Sequence, residues 1–254
     1  MTHPFLSGPL PIAFAHQGGA SEHPENTMPA FAHAYSLGYR YMETDVHASS
    51  DGVLFAFHDA DLQRTCGTPG LIREMTAEQV ARARVSGREP IPRLDELLSA
   101  WPEARFNIDC KSDHALPHLL ARLDRDDLFE RVCIGSFSDA RLDAVRERYG
   151  EKVCTSMGPR DIAKVRLGTW VGRAPRFRGA GVPLAAQVPV RQGPLPIVTA
   201  SFVDGAHAAG LQVHVWTIDD EAEMRRLLDL GVDGIMTDEV TLLRNVIASR
   251  GEWR

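Results

Sequence analysis

The chain has 254 residues, 44% of them hydrophobic, enough for one sizeable core, and its net charge of −6 is spread without like-charged blocks. That balance excludes a nucleic-acid surface, which needs a basic stripe. Cys66, Cys110, Cys133 and Cys154 lie far apart without CxxC spacing, which argues against a disulfide framework or zinc site. No stretch approaches the roughly 20 apolar residues that cross a bilayer. Met1 to Pro11 carries no Lys or Arg and no long apolar run, so a secretory signal is not expected and a cytoplasmic protein is.

From the N-terminus, Ile12–Ala15 reads as a strand and Thr27–Leu37 as the helix after it. Tyr41–Val46 is the second strand. Residues 47–93 then break the pattern: an apolar run at Val53–Phe57, a turn-rich stretch at Asp61–Gly70 and a small helix over Ala77–Arg84. They read as a small insertion on the catalytic face of one domain spanning 1–254, with His47 a loop residue. A helix at Leu94–Trp101 completes the unit. Strand and helix then alternate: Phe106–Cys110 and Leu116–Leu123, Val132–Ser136 and Ala140–Tyr149, Val153–Met157 and Pro159–Leu167. Residues 168–183, rich in Gly, Pro and Arg, read as a loop. Three more pairs follow: Leu184–Val188 with Ser201–Ala209, Val213–Thr217 with Ala222–Leu230, and Gly234–Thr237 with Val240–Ala248. Gly38, Gly150, Gly210 and Gly231 end helices, as glycine does at C-termini.

Eight strand–helix units in this length predict an α/β fold, a (β/α)8 TIM barrel with a small insertion after the second strand. A doubly wound open sheet is the alternative, but no GxGxxG follows the first strand. The strand ends supply a check, because barrel active sites gather at C-terminal strand ends. Those ends carry His16, Glu43, Asp45, Asp109, Lys111, Ser136, Gln187, Trp216 and Asp238.

Glu43 and Asp45 stand two apart in a strand and so share a face. Asp109 and Lys111 repeat that spacing on the adjoining strand. Three converging carboxylates make a hard-cation site, for one divalent Mg2+ or Ca2+, with Mn2+ also admitted. The alternative is a salt-bridge cluster with Lys111 and a nearby Arg. His16 and His58 each end an apolar run beside that site. Such an imidazole pair suits removal of one proton and delivery of another. Lys111 can anchor a phosphate as a point charge. Trp216 walls the substrate pocket, Thr27 or Asn26 caps the first helix, and Glu25 and Asn26 reach toward metal or substrate.

Taken together, Ala15-His-Gln-Gly-Gly19, Pro24-Glu-Asn-Thr27, Glu43-Thr-Asp-Val46, Asp51-Gly52, His58-Asp59, Leu62-Gln-Arg-Thr65, Ile91-Pro-Arg-Leu94, Asn107-Ile-Asp-Cys-Lys111, Trp216-Thr217 and Gly231-Val-Asp-Gly-Ile-Met-Thr-Asp238 resemble the glycerophosphodiester phosphodiesterase family over nearly the whole chain. The resemblance implies His16 and His58 as the catalytic pair, Glu43, Asp45 and Asp109 as metal ligands, and Lys111 on the phosphate. It makes the insertion a family hallmark. Two positions depart from the pattern. Gln17 stands where the family usually has Arg, so it offers substrate a neutral amide in place of a bidentate cation, unless Arg64 or Arg191 compensates. Asp109 stands where Glu is common, keeping the charge on a shorter arm. The expected activity is metal-dependent hydrolysis of a small-molecule glycerophosphodiester to glycerol 3-phosphate and an alcohol. The rivals are a lysophospholipase D-like action on lysolipids and a non-catalytic barrel that binds a phosphodiester. Either a monomer or a homodimer is compatible with the sequence.

Overall fold

The computed structural model describes residues 3–125, 128–170, 177 and 181–253. Its main sheet is built from β1 (Ile12–Ala15), β2 (Tyr41–Ala48), β3 (Leu54–Ala56), β4 (Arg105–Cys110), β5 (Val132–Gly135), β6 (Cys154–Thr155), β7 (Ala185–Pro189), β8 (Gln212–Trp216) and β9 (Gly234–Thr237). Eight of these run parallel in the order β6-β5-β4-β2-β1-β9-β8-β7, while β3 pairs antiparallel with β2. The ends of that path meet at a parallel bridge between Ser156 and Ala185, backed by Leu184 N–H donating to Thr155 O at 3.0 Å. The result is a (β/α)8 barrel, as the alternation predicts.

The helices are α1 (Met28–Ser36), α2 (Gln63–Cys66), α3 (Ala77–Val80), α4 (Leu94–Ala100), α5 (Ala115–Leu123), α6 (Asp139–Tyr149), α7 (Pro159–Trp170), α8 (Ala200–Ala208), α9 (Glu221–Asp229) and α10 (Val240–Ser249). Their apolar faces pack outside the barrel in two cores. One joins Phe31, Leu97, Leu98 and Leu119 to Met42, Val46 and Ile108; the other joins Phe202, Met224, Leu227 and Ile247 to Val213, Val215 and Ile235. Side chains from these strands that do not face the helices fill the barrel, and this inner column changes character along the axis. Phe5, Ile12, Phe14 and Tyr41 close the N-terminal end. Gln187 Nε2 donates to Asn107 Oδ1 at 2.8 Å in the middle, beside a fully buried His214. Glu43, Asp45 and Asp109 lie at the C-terminal end. Gly234 is small for a packing reason: a Cβ there would sit 3.0 Å from His214 and 2.9 Å from the Ile12 carbonyl.

Several expected boundaries shift. β2 runs on to Ala48, because β3 folds back against it with Val46 facing Ala56 and His47 facing Phe55. His47 is therefore a buried strand residue and not a loop residue. The insertion begins after it and has its own core of Phe55, Phe57, Leu62, Ile72, Val80, Val85 and Ile91. The small helix expected over Ala77–Arg84 stops at Val80, and Arg84 instead joins a two-residue ladder with Pro90. α7 continues to Trp170, and most of the loop expected over 168–183 lies outside the described residues.

Candidate active site

β1 ends at Ala15, and the chain turns through His16, Gln17, Gly18 and Gly19. Gln17 has φ of 50°, in the left-handed region, followed by glycines at 85° and 94°. The tightness of the turn demands those glycines, since a Cβ on Gly18 would sit 2.8 Å from Ala30 Cβ and one on Gly19 2.7 Å from Val240. The turn aims His16 across the barrel mouth. Its Nδ1 is 2.8 Å from Asp238 Oδ1, which parallel pairing of β1 with β9 brings alongside, and its Nε2 is 3.8 Å from Glu43 Oε2. Burial alone would lower the His16 pKa, but Glu43, Asp238 and Asp45 outweigh it and raise it to about 9.

Asp45 faces Asp109 directly in the β2–β4 register. Lys111 Nζ lies 2.8 Å from Asp45 Oδ1 and 2.8 Å from Asp109 Oδ2. Asp45 Oδ2 accepts from Gln17 Nε2 at 2.7 Å and Asn26 Nδ2 at 3.1 Å. Burial would raise the Asp45 pKa, yet Lys111 and the hydrogen bond from Asn26 hold it below the usual carboxylate range. Glu43 Oε2 accepts from Gln17 N–H at 3.1 Å. Burial, reinforced by Asp45, pushes its pKa up to about 8. Burial also raises the Asp109 pKa, and Asp109 Oδ1 is buried without a hydrogen-bond partner among the described residues. Lys111 stays charged, since the two aspartates more than offset the burial that would discharge it.

His58 is brought in by the insertion. After β3, Phe57 N–H donates to Asp45 O at 3.0 Å, so the next residue hangs over the end of β2. Its Nδ1 lies 2.7 Å from Asp59 Oδ1, and its carbonyl is 3.2 Å from His47 Nε2. Each candidate histidine thus has Nδ1 held by a carboxylate, which leaves Nε2 for chemistry.

Trp216 closes one side, in an edge-to-face contact with Phe137 at 5.7 Å. Phe137 is 66% exposed and lies 5.7 Å from Lys111 Nζ. Sequence reasoning missed Phe137 and Asp219. Asp219 Oδ1 accepts from Thr237 Oγ1 and from Asp238 N–H, at 2.9 and 2.8 Å, and so fixes the loop that carries Asp238. An acidic residue just past β8 was the available signal. Ser136, just past β5, serves structure, its Oγ donating to Cys110 O at 2.9 Å, while Gln187 is not at a strand end but mid-strand in β7, bonded to Asn107 in the barrel interior below the acids.

Other expectations resolve differently. Thr27 stands at the N-cap of α1, but its hydroxyl donates to Pro24 O at 2.7 Å rather than accepting from the helix. Asn26 is spent on Asp45 and on accepting from Thr44 Oγ1. Glu25 pairs with Arg64, which also binds Asp59, so that guanidinium is committed. Arg191 donates to Pro194 O within a two-residue ladder.

The residues able to hold a cation are Glu43, Asp45 and Asp109. As the side chains stand, no group of three or more His, Cys, Asp or Glu among the described residues is arranged around a metal position, and the Lys111 ammonium lies between two of the acids. The chemistry of the set nonetheless suits a hard ion: three carboxylates against one ammonium, an oxygen on Asp109 without a partner among the described residues, and a Glu43 whose pKa is pushed up by burial and by Asp45.

Residues 16–242 match the model of the glycerophosphoryl diester phosphodiesterase family. The chain is 39% identical over 244 residues to the probable glycerophosphodiester phosphodiesterase 2 of Mycobacterium tuberculosis, covering 95% of this chain and 92% of that protein. It is 27% identical to the mouse lysophospholipase D GDPD1, over 92% of this chain and 85% of that one. In fold it is similar to an Oleispira antarctica phosphodiesterase whose structure is in complex with the product sn-glycerol-3-phosphate, with a TM-score of 0.76, 22% identity and coverage of 94% and 97%.

Proposed function

Since this chain belongs to the glycerophosphoryl diester phosphodiesterase family, and is by that membership a phosphoric diester hydrolase, we propose that it hydrolyses glycerophosphodiesters by metal-dependent acid–base catalysis with His16 and His58. The observation that carries this reading is the paired imidazoles, each held at Nδ1 by a carboxylate, beside a buried cluster of three acids and one lysine. Glu43, Asp45 and Asp109 would hold one divalent cation, Mg2+, Ca2+ or Mn2+, which when bound polarises a phosphoryl oxygen and offsets its developing charge.

His58 accepts at Nε2 the proton of the nucleophile, either water or the neighbouring glycerol hydroxyl. His16, carrying its proton at neutral pH, gives it from Nε2 to the departing alcohol oxygen as the P–O bond breaks. Asp238 and Asp59 keep the two rings in register. Lys111 stabilises the phosphoryl group as a fixed point charge. Gln17, expected on substrate, instead orients Asp45 through its side-chain amide and Glu43 through its backbone N–H. Trp216 bounds the substrate on one side. With water as nucleophile the products are glycerol 3-phosphate and the free alcohol; with the glycerol hydroxyl, the alcohol leaves as a cyclic glycerol phosphate forms, and a water must then add to phosphorus and break one ring P–O bond to give glycerol 3-phosphate.

The test is hydrolysis of glycerophosphocholine before and after exhaustive chelation, with Mg2+, Ca2+ and Mn2+ returned singly. Loss on chelation and recovery with one ion is expected. Full activity in metal-free protein would refute the cation, and binding without turnover would favour a non-catalytic barrel. A second reading, action on lysolipids, is favoured by the exposed Phe137 beside Trp216, an apolar ledge at the mouth. Faster release of a head group from lysophosphatidylcholine than from glycerophosphocholine would select it.

A further inference from the structure

Two carboxylates from different loops meet on one guanidinium at the rim of the site. Arg64 Nη1 and Nη2 donate to Glu25 Oε2 and Oε1 at 2.7 and 2.6 Å. Its Nε and Nη2 donate to Asp59 Oδ2 and Oδ1 at 2.6 and 3.1 Å. Both edges of the fork are therefore used in bidentate pairs, a geometry that a lysine cannot reproduce. Glu25 belongs to the loop between β1 and α1, Arg64 to the insertion helix α2, and Asp59 to the segment after β3. Asp59 Oδ1 in turn lies 2.7 Å from His58 Nδ1.

The energetics say what such a clasp is for. Arg64 is half exposed, and ion pairs in that setting add little to stability. Their geometric effect is larger. The His58 side chain is 44% exposed and receives from the described residues only the Asp59 contact at its ring. A carboxylate that swings carries the imidazole with it. Asp59 remains an acceptor throughout the working range, since hydrogen bonds from Arg64 hold its pKa at about 2.

We propose that Arg64 is a positioning residue for the reaction: clamped to Glu25, it fixes Asp59 and through it the ring plane and tautomer of His58, tying the insertion to the barrel as one catalytic unit. The inference rests on the reading of His58 as an acid–base group. It assigns to Glu25 the anchoring end of the clasp.

The experiment compares full-length Arg64→Ala, Arg64→Lys, Glu25→Gln, His58→Ala and the Arg64→Ala/His58→Ala double variant by steady-state hydrolysis of glycerophosphocholine, thermal unfolding and imidazole nitrogen NMR. Arg64→Ala is expected to lower kcat on the order of 10- to 100-fold with KM nearly constant, the penalty of a misplaced catalytic group. Its melting temperature should stay close to that of the parent, and the His58 ring should lose its single Nδ1-protonated signature. Arg64→Lys and Glu25→Gln should fall between. In the His58→Ala background Arg64→Ala should cost nothing more. The proposal is overturned if Arg64→Ala keeps the parent kcat and ring spectrum, if its loss follows the unfolded fraction, if only KM rises, or if it slows the His58→Ala enzyme by the same factor. A fully active His58→Ala protein would refute the acid–base reading and this inference with it. An inactive His58→Ala beside an unaffected Arg64→Ala would refute this inference alone. The ring spectrum remains decisive even where glycerophosphocholine is a poor substrate.

Discussion

His16 titrates under the influence of three carboxylates, and its role as proton donor depends on them. Deprotonation removes the acid, so kcat/KM should fall on the alkaline side of the His16 titration. Asp238 raises that pKa. Asp238→Asn should therefore move the alkaline limb of the kcat/KM profile to lower pH, and an unmoved limb would assign it to another group. His16→Ala and His58→Ala should each reduce kcat about 10²- to 10⁴-fold, the usual range for a positioned acid or base. Lys111 acts on two acids at once. Lys111→Met leaves Asp45 and Asp109 buried beside each other without their ammonium, which should cost about 3–5 kcal/mol of stability in chelator. Added divalent cation should recover part of that loss in denaturant melts. No recovery would argue that the acids do not take up an ion.

Strand pairing dictates what the inner face of each barrel strand must carry at each level. β4, β7 and β8 meet in the middle layer, where Asn107, Gln187 and His214 adjoin one another. His214 Nε2 also lies 3.1 Å from Gln212 Oε1, and complete burial depresses the His214 pKa to about 3. The sign follows directly. The unfolded chain protonates this histidine near pH 6.5, while the folded one does not, so stability is whole above 6.5 and declines as pH falls through the window down to about 3. Between pH 6.5 and 5 that amounts to about 2 kcal/mol, by urea unfolding. His214→Asn should show a shallower decline over the same interval; an equal slope would place the linkage elsewhere. The insertion obeys similar logic. β3 must pair with the end of β2 for Phe57 to reach Asp45 O, so its core around Phe55 and Ile72 supports the placement of His58.

At the scale of the molecule, the barrel is finished at its two ends by unlike chemistry. The turn at Pro4–Leu6 plugs the N-terminal end, where Tyr41 OH donates to Phe5 O at 2.7 Å and accepts from Arg105 Nη1. Phe5 is fully buried there with Phe14 and Tyr41. Phe5→Ala should cost about 3–5 kcal/mol of stability through the cavity it leaves. Because the plug lies at the opposite end from the acids, kcat per folded molecule should hold; a large kcat change at full occupancy of the folded state would show that the ends communicate. Among the described residues no helix is long and apolar enough to cross a membrane.

Local order in the chain was enough to determine the eight strand–helix units, and the two-residue spacing of Glu43, Asp45 and of Asp109, Lys111 was enough to put each pair on one face. Those are short-range properties, set by backbone period and by which residues tolerate burial. The facing of Asp45 with Asp109 followed from the order of parallel strands. Tertiary structure alone decided the partners: that Lys111 stands between the two aspartates, that Gln17 and Asn26 are spent on Asp45, that His47 is buried in β2, and that Arg64 joins Glu25 to Asp59. Each of these depends on where separate loops converge in space, 39 residues apart for Glu25 and Arg64 and 222 for His16 and Asp238. Closure of the barrel brings such pairs together, and no local periodicity encodes it.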